Sequence, residues 1–213
     1  MKQSLYDVVI IGAGVIGHSI AFRLKQCRPD LSLAIFGDPM NSLMASRAAA
    51  GMLAPFGECS EADRFFKFCR ESLLKYPNFI ENLISVSNLP VNFSMNGSLI
   101  PSSSLKGGWG KKIRFFRDEN VPYKIWSPNK RRQLAPALAE SCGEVLWVGE
   151  GQVNNREMHN ALVTASRKLG IEIFEKNVTG FLRDSSVIEA VVANTMEVRG
   201  RKFVIASGSW SSR

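Results

Sequence analysis

Apolar residues run without a break from Val8 to Ile11, and from Ile16 onward they recur every four positions, at Ile16, Ile20 and Leu24. The first pattern fits a strand buried on both faces, and the second fits a helix laying one face on a sheet. Pro29 and Asp30 close the segment, and residues 31–36 read as a second strand. The unit is β-α-β, of about 30 residues. Farther on, residues 60–76 have helical periodicity, with Phe65, Cys69, Leu73 and Tyr76 as a core stripe. Ser60 is the expected cap, with Asp63 at the capping-box position. Pro77 interrupts, and Phe79, Ile80, Leu83 and Ile84 continue as a second short piece.

Residues 91–95 alternate, and Asn96-Gly97 is a type I′ hairpin signal ahead of Leu99 and Ile100. This marks a change from α/β to antiparallel sheet. The Ser/Gly-rich residues 102–112 read as a loop entering a helix, and Ser127-Pro128 as another helix start. Val145–Val148 is an expected strand. Asn154 or Asn155 then caps a helix running through Leu169, with Met158, Leu162, Ala165 and Leu169 on one face and Gly170 after it. Residues 171–174 read as a strand returning to the parallel sheet. Residues 187–193 and 195–198 read as a meander turning at Ala193-Asn194, and residues 203–205 as a buried strand that breaks into a small-residue turn at Ser207 and Gly208.

Between the first strand and first helix stand Gly12, Gly14 and Gly17, in G-x-G-x-x-G spacing. The first glycine permits the tight turn, the second lets backbone approach a pyrophosphate, and the third lets helix and strand pack closely. The N–H groups and dipole at the helix start favour a diphosphate. The motif serves NAD, NADP or FAD. It also asks for an acid at the end of the second strand to hold a ribose. Here Gly37 follows Phe36 and the acid, Asp38, comes one position late. Either Asp38 reaches the ribose through a shifted turn, or backbone and water hold it. A 2′-phosphate would need an arginine, and Arg47 is the nearby candidate.

Composition narrows the field modestly. The chain has 213 residues, a formal charge of +8, and a hydrophobic fraction of 45%. That length supports a sizeable core of one or two small domains. Cys27, Cys59, Cys69 and Cys142 form no C-x-x-C pair, and only His18 and His159 accompany them, so no zinc site is expected. The cysteines read as reduced, mostly packing residues of an intracellular protein. His18 reads as solvent-facing. Residues 1–6 have no signal-peptide pattern, and no apolar run has transmembrane length. The stretch from Lys106 to Arg132 is basic, with Lys111, Lys112, Arg114, Arg117, Lys130 and Arg131 between aromatic residues. Such interleaving can bind nucleic acid, but no nucleic-acid motif accompanies it. The preferred reading is a solvated face with the aromatics turned inward.

The stretch Ser46-Arg47-Ala48-Ala49-Ala50-Gly51-Met52-Leu53, followed by Glu58-Cys59 and by Asp63-Arg64-Phe65-Phe66-Lys67-Phe68, resembles the D-amino-acid-oxidase-like family of flavin enzymes. The likeness is greatest to its glycine oxidase branch, which is associated with thiamine biosynthesis. The resemblance implies an α/β fold: a Rossmann-like parallel sheet that binds FAD, with an inserted, incomplete antiparallel β substrate domain. Residues 1–88 and 151–213 would form the FAD-binding domain, and 89–150 the start of the substrate domain. The candidate FAD contacts are Gly12, Gly14, Val15, Ile16 and Gly17; Gly37 and Asp38; Ala45, Ser46, Ala50, Gly51 and Met52; Val178, at a position whose backbone holds the adenine in the family; and Ser207 and Gly208 in a family-like A-x-G-x-W stretch.

The implied chemistry is oxidation of a small amine or amino acid to an imine and then an oxo acid, with O2 as acceptor and H2O2 as product. A cytoplasmic location is expected from the reduced cysteines and the lack of a signal-peptide pattern. No catalytic residue is nominated, because the flavin carries the hard chemistry. In the family, the arginine that binds the substrate carboxylate lies beyond the stretch matched here. The chain is therefore expected to correspond to the N-terminal portion, with a homo-oligomer or a complementary C-terminal partner both open. Two other readings remain: a nucleotide-binding module without turnover, and a basic nucleic-acid-binding protein.

Overall fold

The structure, a computed structural model, describes residues 5–41, 43–105 and 108–211. The sequence readings that fall on Met1–Ser4, Lys106 and Gly107 lie outside the described residues. In chain order the elements are β1 (Leu5–Ile11), α1 (Val15–Cys27), β2 (Leu33–Phe36), α2 (Ala45–Ala48), β3 (Met52–Leu53), α3 (Pro55–Glu58) and α4 (Arg64–Ser87). Next come β4 (Phe93–Ser94), β5 (Ser98–Pro101), α5 (Trp109–Asp118), β6 (Tyr123–Trp126), α6 (Pro128–Leu134), β7 (Val145–Val148) and β8 (Gly151–Val153). The last are α7 (Asn155–Lys168), β9 (Glu172–Phe174), β10 (Gly180–Asp184), β11 (Val187–Ala193) and β12 (Met196–Ile205).

These elements divide into two compact units, one of residues 1–50, 81–91 and 154–213, the other of residues 51–80 and 92–153. The division departs from the 1–88, 89–150 and 151–213 expectation chiefly in placing residues 51–80 with the second unit.

The first unit holds a six-stranded sheet in the order β10-β11-β12-β1-β2-β9. The pairs β12–β1, β1–β2 and β2–β9 are parallel, and β10–β11 and β11–β12 are antiparallel. Every side chain of β2 is buried, as its unbroken Leu-Ala-Ile-Phe sequence requires of a strand covered on both faces. The two strands expected near the end of the chain are one: β12 pairs with β11 through residues 196–199 and with β1 through residues 199–205.

Helix α1 corrects the sequence reading. Its buried face is Gly17, His18, Ala21 and Phe22, and Ile16 is exposed. Ile20 and Leu24 only flank the core. The cause is Gly17. A β-carbon there would stand 1.9 Å from the Gly12 carbonyl oxygen and 3.3 Å from Ile10 Cγ2, so the helix approaches the strand on its smallest face. Periodicity of bulky residues alone places the face wrongly when close packing demands small ones.

The second unit contains two three-stranded sheets, β3-β8-β4 and β5-β7-β6. Phe56, Phe66, Leu73, Phe115, Phe116, Leu146 and Val148 form its core. Asn96-Gly97 makes no hairpin, because β4 pairs with β8 and β5 with β7. Instead the Asn96 carbonyl accepts the Trp147 indole N–H at 2.9 Å, and the indole occupies the space beside Gly97.

Pro77 does not end the helix either: α4 continues through it to Ser87. Burial of Leu73, Ile80 and Leu83 along one side offsets the lost hydrogen bond. Asp63, not Ser60, caps α4, its Oδ1 accepting the Phe66 N–H at 2.7 Å. Phe66 takes the core position, and Phe65 is exposed. The caps expected at Ser127 and Asn154 are both made.

Candidate functional site

The carboxyl ends of the parallel strands are laced together around the glycine turn. Gly12 N–H donates to the Phe36 carbonyl at 2.8 Å, Ala206 N–H to Ile11 at 2.7 Å, and Gly37 N–H to Phe174 at 3.0 Å. Gly12 has φ +123°, and a β-carbon on it would lie 2.2 Å from the Ala206 oxygen. Backbone therefore meets backbone at the turn, which no other residue type would allow. Helix α1 begins immediately after. Gly14 caps it with no side chain, and its first turn carries no acid. The N-terminal N–H groups and the positive end of the dipole are thus available to an anion.

Ser46 crosses to this helix start. Its Oγ accepts the Val15 N–H at 3.1 Å, and a β-carbon on Gly14 would stand 3.2 Å from it. Helix α7 holds the segment in place. Asn155 Nδ2 donates to the Ser46 carbonyl at 2.6 Å, Arg156 Nε donates to the Arg47 carbonyl at 3.1 Å, and Arg47 itself donates to Asn160 Oδ1 at 3.1 Å. From the same helix His159 Nε2 meets the Ala13 carbonyl at 2.9 Å. Sequence reasoning missed this role of α7. The signal was Asn155 and His159 four positions apart on a helix otherwise read for its apolar face.

The remaining candidates lie as follows. Gly37 sits against Ala13 at the end of β2. Asp38 is exposed, and its Oδ1 accepts the Met40 N–H at 2.7 Å within its own turn. Ala45 and Ala50 are exposed beside the half-buried Ser46. Val178 packs on the cluster formed by Tyr6, Val9 and Phe36, and Ser207 and Gly208 follow β12, where Gly12 approaches Ala206. Gly51 and Met52 belong to the second unit.

The reading of His18 needs correction. His18 is fully buried, not solvent-facing, with Nδ1 2.9 Å from Ser166 Oγ. His159 is fully buried as well, and the two rings meet edge to face, 5.7 Å apart. Burial, with the charges of His159 and Arg167 adding to it, pushes His18 down to about 3. Burial lowers His159 too, against the Ala13 hydrogen bond and with Arg47 nearby. Both rings are neutral near pH 7.

The basic stretch is also not simply a solvated face. Lys112 and Arg131 are buried. Lys112 Nζ donates to the carbonyls of Gly57 (2.8 Å) and Cys59 (2.5 Å), and Arg131 to those of Leu138 and Ala139. The second unit contains a cavity of about 360 Å³ lined by Met52, Leu53, Cys59, Phe65, Phe68 and Tyr76 among others, which the sequence did not announce. Among the described residues no cluster of His, Cys, Asp and Glu could hold a metal, and no helix is long and apolar enough to cross a membrane.

A glycine turn leading from a central parallel strand into a helix start whose own N-cap is a glycine defines a dinucleotide-binding protein of the α/β class. The model of the FAD dependent oxidoreductase family matches residues 7–213, and the chain belongs to that family. It is 30% identical over 208 residues to the bifunctional protein ThiO/ThiG of Trichormus variabilis, covering 97% of this chain and 31% of that protein. It is 27% identical to the glycine oxidase of Geobacillus kaustophilus, whose crystal structure it matches with a TM-score of 0.88 over 98% of this chain and 56% of that one. A glycine oxidase from Bacillus cereus matches at 25% identity, with a TM-score of 0.85. The chain thus spans about a third to just over half the length of these relatives. FAD is the cofactor of the family, and the mixed fold, a parallel sheet beside antiparallel ones, is the glycine oxidase fold.

Proposed function

We propose that this chain is the FAD-binding portion of an amine or amino-acid oxidase of the glycine oxidase kind. The carrying observation is the start of α1, where a side-chain-free cap and a first turn without acids face the ends of β1, β2 and β12. These residues fit a diphosphate. Gly12 and Gly14 keep the backbone bare, and Val15, Ile16 and Gly17 supply first-turn N–H groups. Gly37, Asp38, Ala45, Ser46 and Ala50 would border the ribose and flavin, with Val178, Ser207 and Gly208 at the sheet's end. Ser46 Oγ already satisfies Val15 N–H and can yield it to a phosphate oxygen.

Bound FAD supplies the acceptor for a hydride from the α-carbon of a small amine or amino acid, with O2 as the final acceptor, H2O2 as product, and an imine that hydrolyses to an oxo acid. The chain's own residues provide binding and orientation; His18 and His159 are buried beneath the turn and take no proton from substrate. The association of the glycine oxidase branch with thiamine biosynthesis is carried over on the same footing.

The test is direct. Protein purified without added cofactor, or loaded with FAD and desalted, should show flavin absorbance and release intact FAD on denaturation. Peroxide formed on adding glycine or sarcosine would extend the reading from binding to turnover. Folded protein that retains no FAD, or prefers NAD, would overturn it.

A further inference from the structure

We propose that His159 is a positioning residue for the dinucleotide turn, acting through the Ala13–Gly14 peptide; this rests on the FAD-binding reading above. The Ala13 carbonyl can only accept, so the 2.9 Å contact makes His159 Nε2 the protonated nitrogen of a neutral ring. Among the described residues His159 Nδ1 has no hydrogen-bond partner, and the ring is fully buried. The bond to Ala13 is therefore the ring's polar anchor among them.

Its consequence lies on the other side of the peptide. In a trans peptide the carbonyl and the following N–H point in opposite directions. Holding the Ala13 carbonyl inward against α7 holds the Gly14 N–H outward, toward the mouth of the turn. Gly14, lacking a β-carbon, is where this peptide would otherwise flip most readily. The same helix pins Ser46 through Asn155, so α7 sets both the turn and the segment that crosses it. The groups around the ring oppose its ionisation: His18 lies edge-on at 5.7 Å, Arg47 is near His159, and Arg167 is near His18.

The test compares wild type with His159→Leu, which removes the donor, and His159→Gln, which restores an N–H. FAD affinity, read from flavin fluorescence, should fall about ten-fold in H159L and recover most of that loss in H159Q. A purely packing role predicts the reverse order, since leucine fills the buried site better than a polar amide. H159L affinity equal to wild type would overturn the proposal. Nitrogen-15 NMR of the wild-type imidazole gives a second measure that does not depend on the variants folding: Nε2–H is expected, and Nδ1–H would overturn it. Should wild type bind no FAD, the functional reading fails separately. The Ala13 carbonyl carbon-13 shift in cofactor-free protein still decides the contact: it should move upfield in H159L, which loses the donor, and recover in H159Q, and equal shifts in all three proteins would overturn it.

Discussion

Gly17 sits directly over Gly12: a β-carbon on the first would lie 1.9 Å from the carbonyl oxygen of the second. The contact is backbone against backbone, so no rotamer change relieves it. Gly17→Ala should force α1 away from β1 and cost about 2–3 kcal/mol, the upper range for overpacking. Urea denaturation reads the loss. Flavin retention should fall further than stability does, because the shift opens the helix start. Full flavin retention by G17A would show that the turn tolerates the displacement.

Through Oγ, Ser46 accepts the Val15 N–H, one of the donors the proposed diphosphate would use. Its Oγ caps Val15, and removing it in Ser46→Ala should destabilise the protein by about 1 kcal/mol, as for other lost N-terminal caps. Ser46→Asp places a negative charge on the helix dipole and should stabilise the cofactor-free protein by ~0.5 kcal/mol. The same charge repels a pyrophosphate, so S46D should bind FAD more weakly than S46A. Thermal unfolding with and without FAD separates the effects. An S46D variant that gained both stability and affinity would place the diphosphate elsewhere.

Much of the local structure around the glycine turn and of the helix starts was legible in the sequence, for reasons that also explain what was not. The glycine spacing, the all-apolar β2 and the Ser127 and Asn154 caps are local signals, set by backbone geometry within a few residues. The misread features depend on partners distant in sequence. His18 looks exposed until α7 brings Ser166 and His159 against it. Asn96-Gly97 looks like a hairpin until β8 and β7 claim its two flanking strands. Pro77 ought to break α4, and it is overruled by the burial of residues on either side of it. The role of α7 was hidden because its contacts to Ala13, Ser46 and Arg47 all cross more than a hundred residues.

The buried histidines make stability depend on pH with a definite sign. The folded His18 value, about 3, lies below its ordinary 6.5. Between these values the unfolded chain binds a proton that the folded chain does not, so acid favours unfolding. The stabilisation is complete above 6.5 and is lost as pH falls from there toward about 3. The loss is up to ~1.4 kcal/mol per pH unit for one group. His159, lowered in the same direction, steepens the slope. Denaturation midpoints at pH 7, 6 and 5, set as a titration, should fall progressively, and less steeply in His18→Gln. A flat profile across that range would mean the rings are not held neutral by burial.

Lys112 and Glu150 form the corresponding buried feature of the second unit. Lys112 Nζ donates to the Gly57 and Cys59 carbonyls while Glu150 Oε1 accepts the Gly57 N–H at 2.6 Å, so the two side chains grip one short segment. Burial raises the Glu150 carboxyl above its ordinary range, partly opposed by the Gly57 N–H and by the Lys112 charge. Lys112→Met removes that charge and two hydrogen bonds to buried carbonyls and should cost about 1–3 kcal/mol at neutral pH. Because the folded Glu150 value would then rise further, the Glu150 contribution to K112M stability should be complete below the ordinary carboxylate value and be lost as pH climbs through the folded value, so K112M should lose less stability than wild type on acidification from pH 7. Adding Glu150→Gln keeps an oxygen acceptor for Gly57 and removes the stranded charge, so the double variant should be more stable than K112M by over about 1 kcal/mol at pH 7. Equal stabilities for K112M and the double variant would show that the charges do not sense each other and that Lys112 acts through its carbonyl contacts alone.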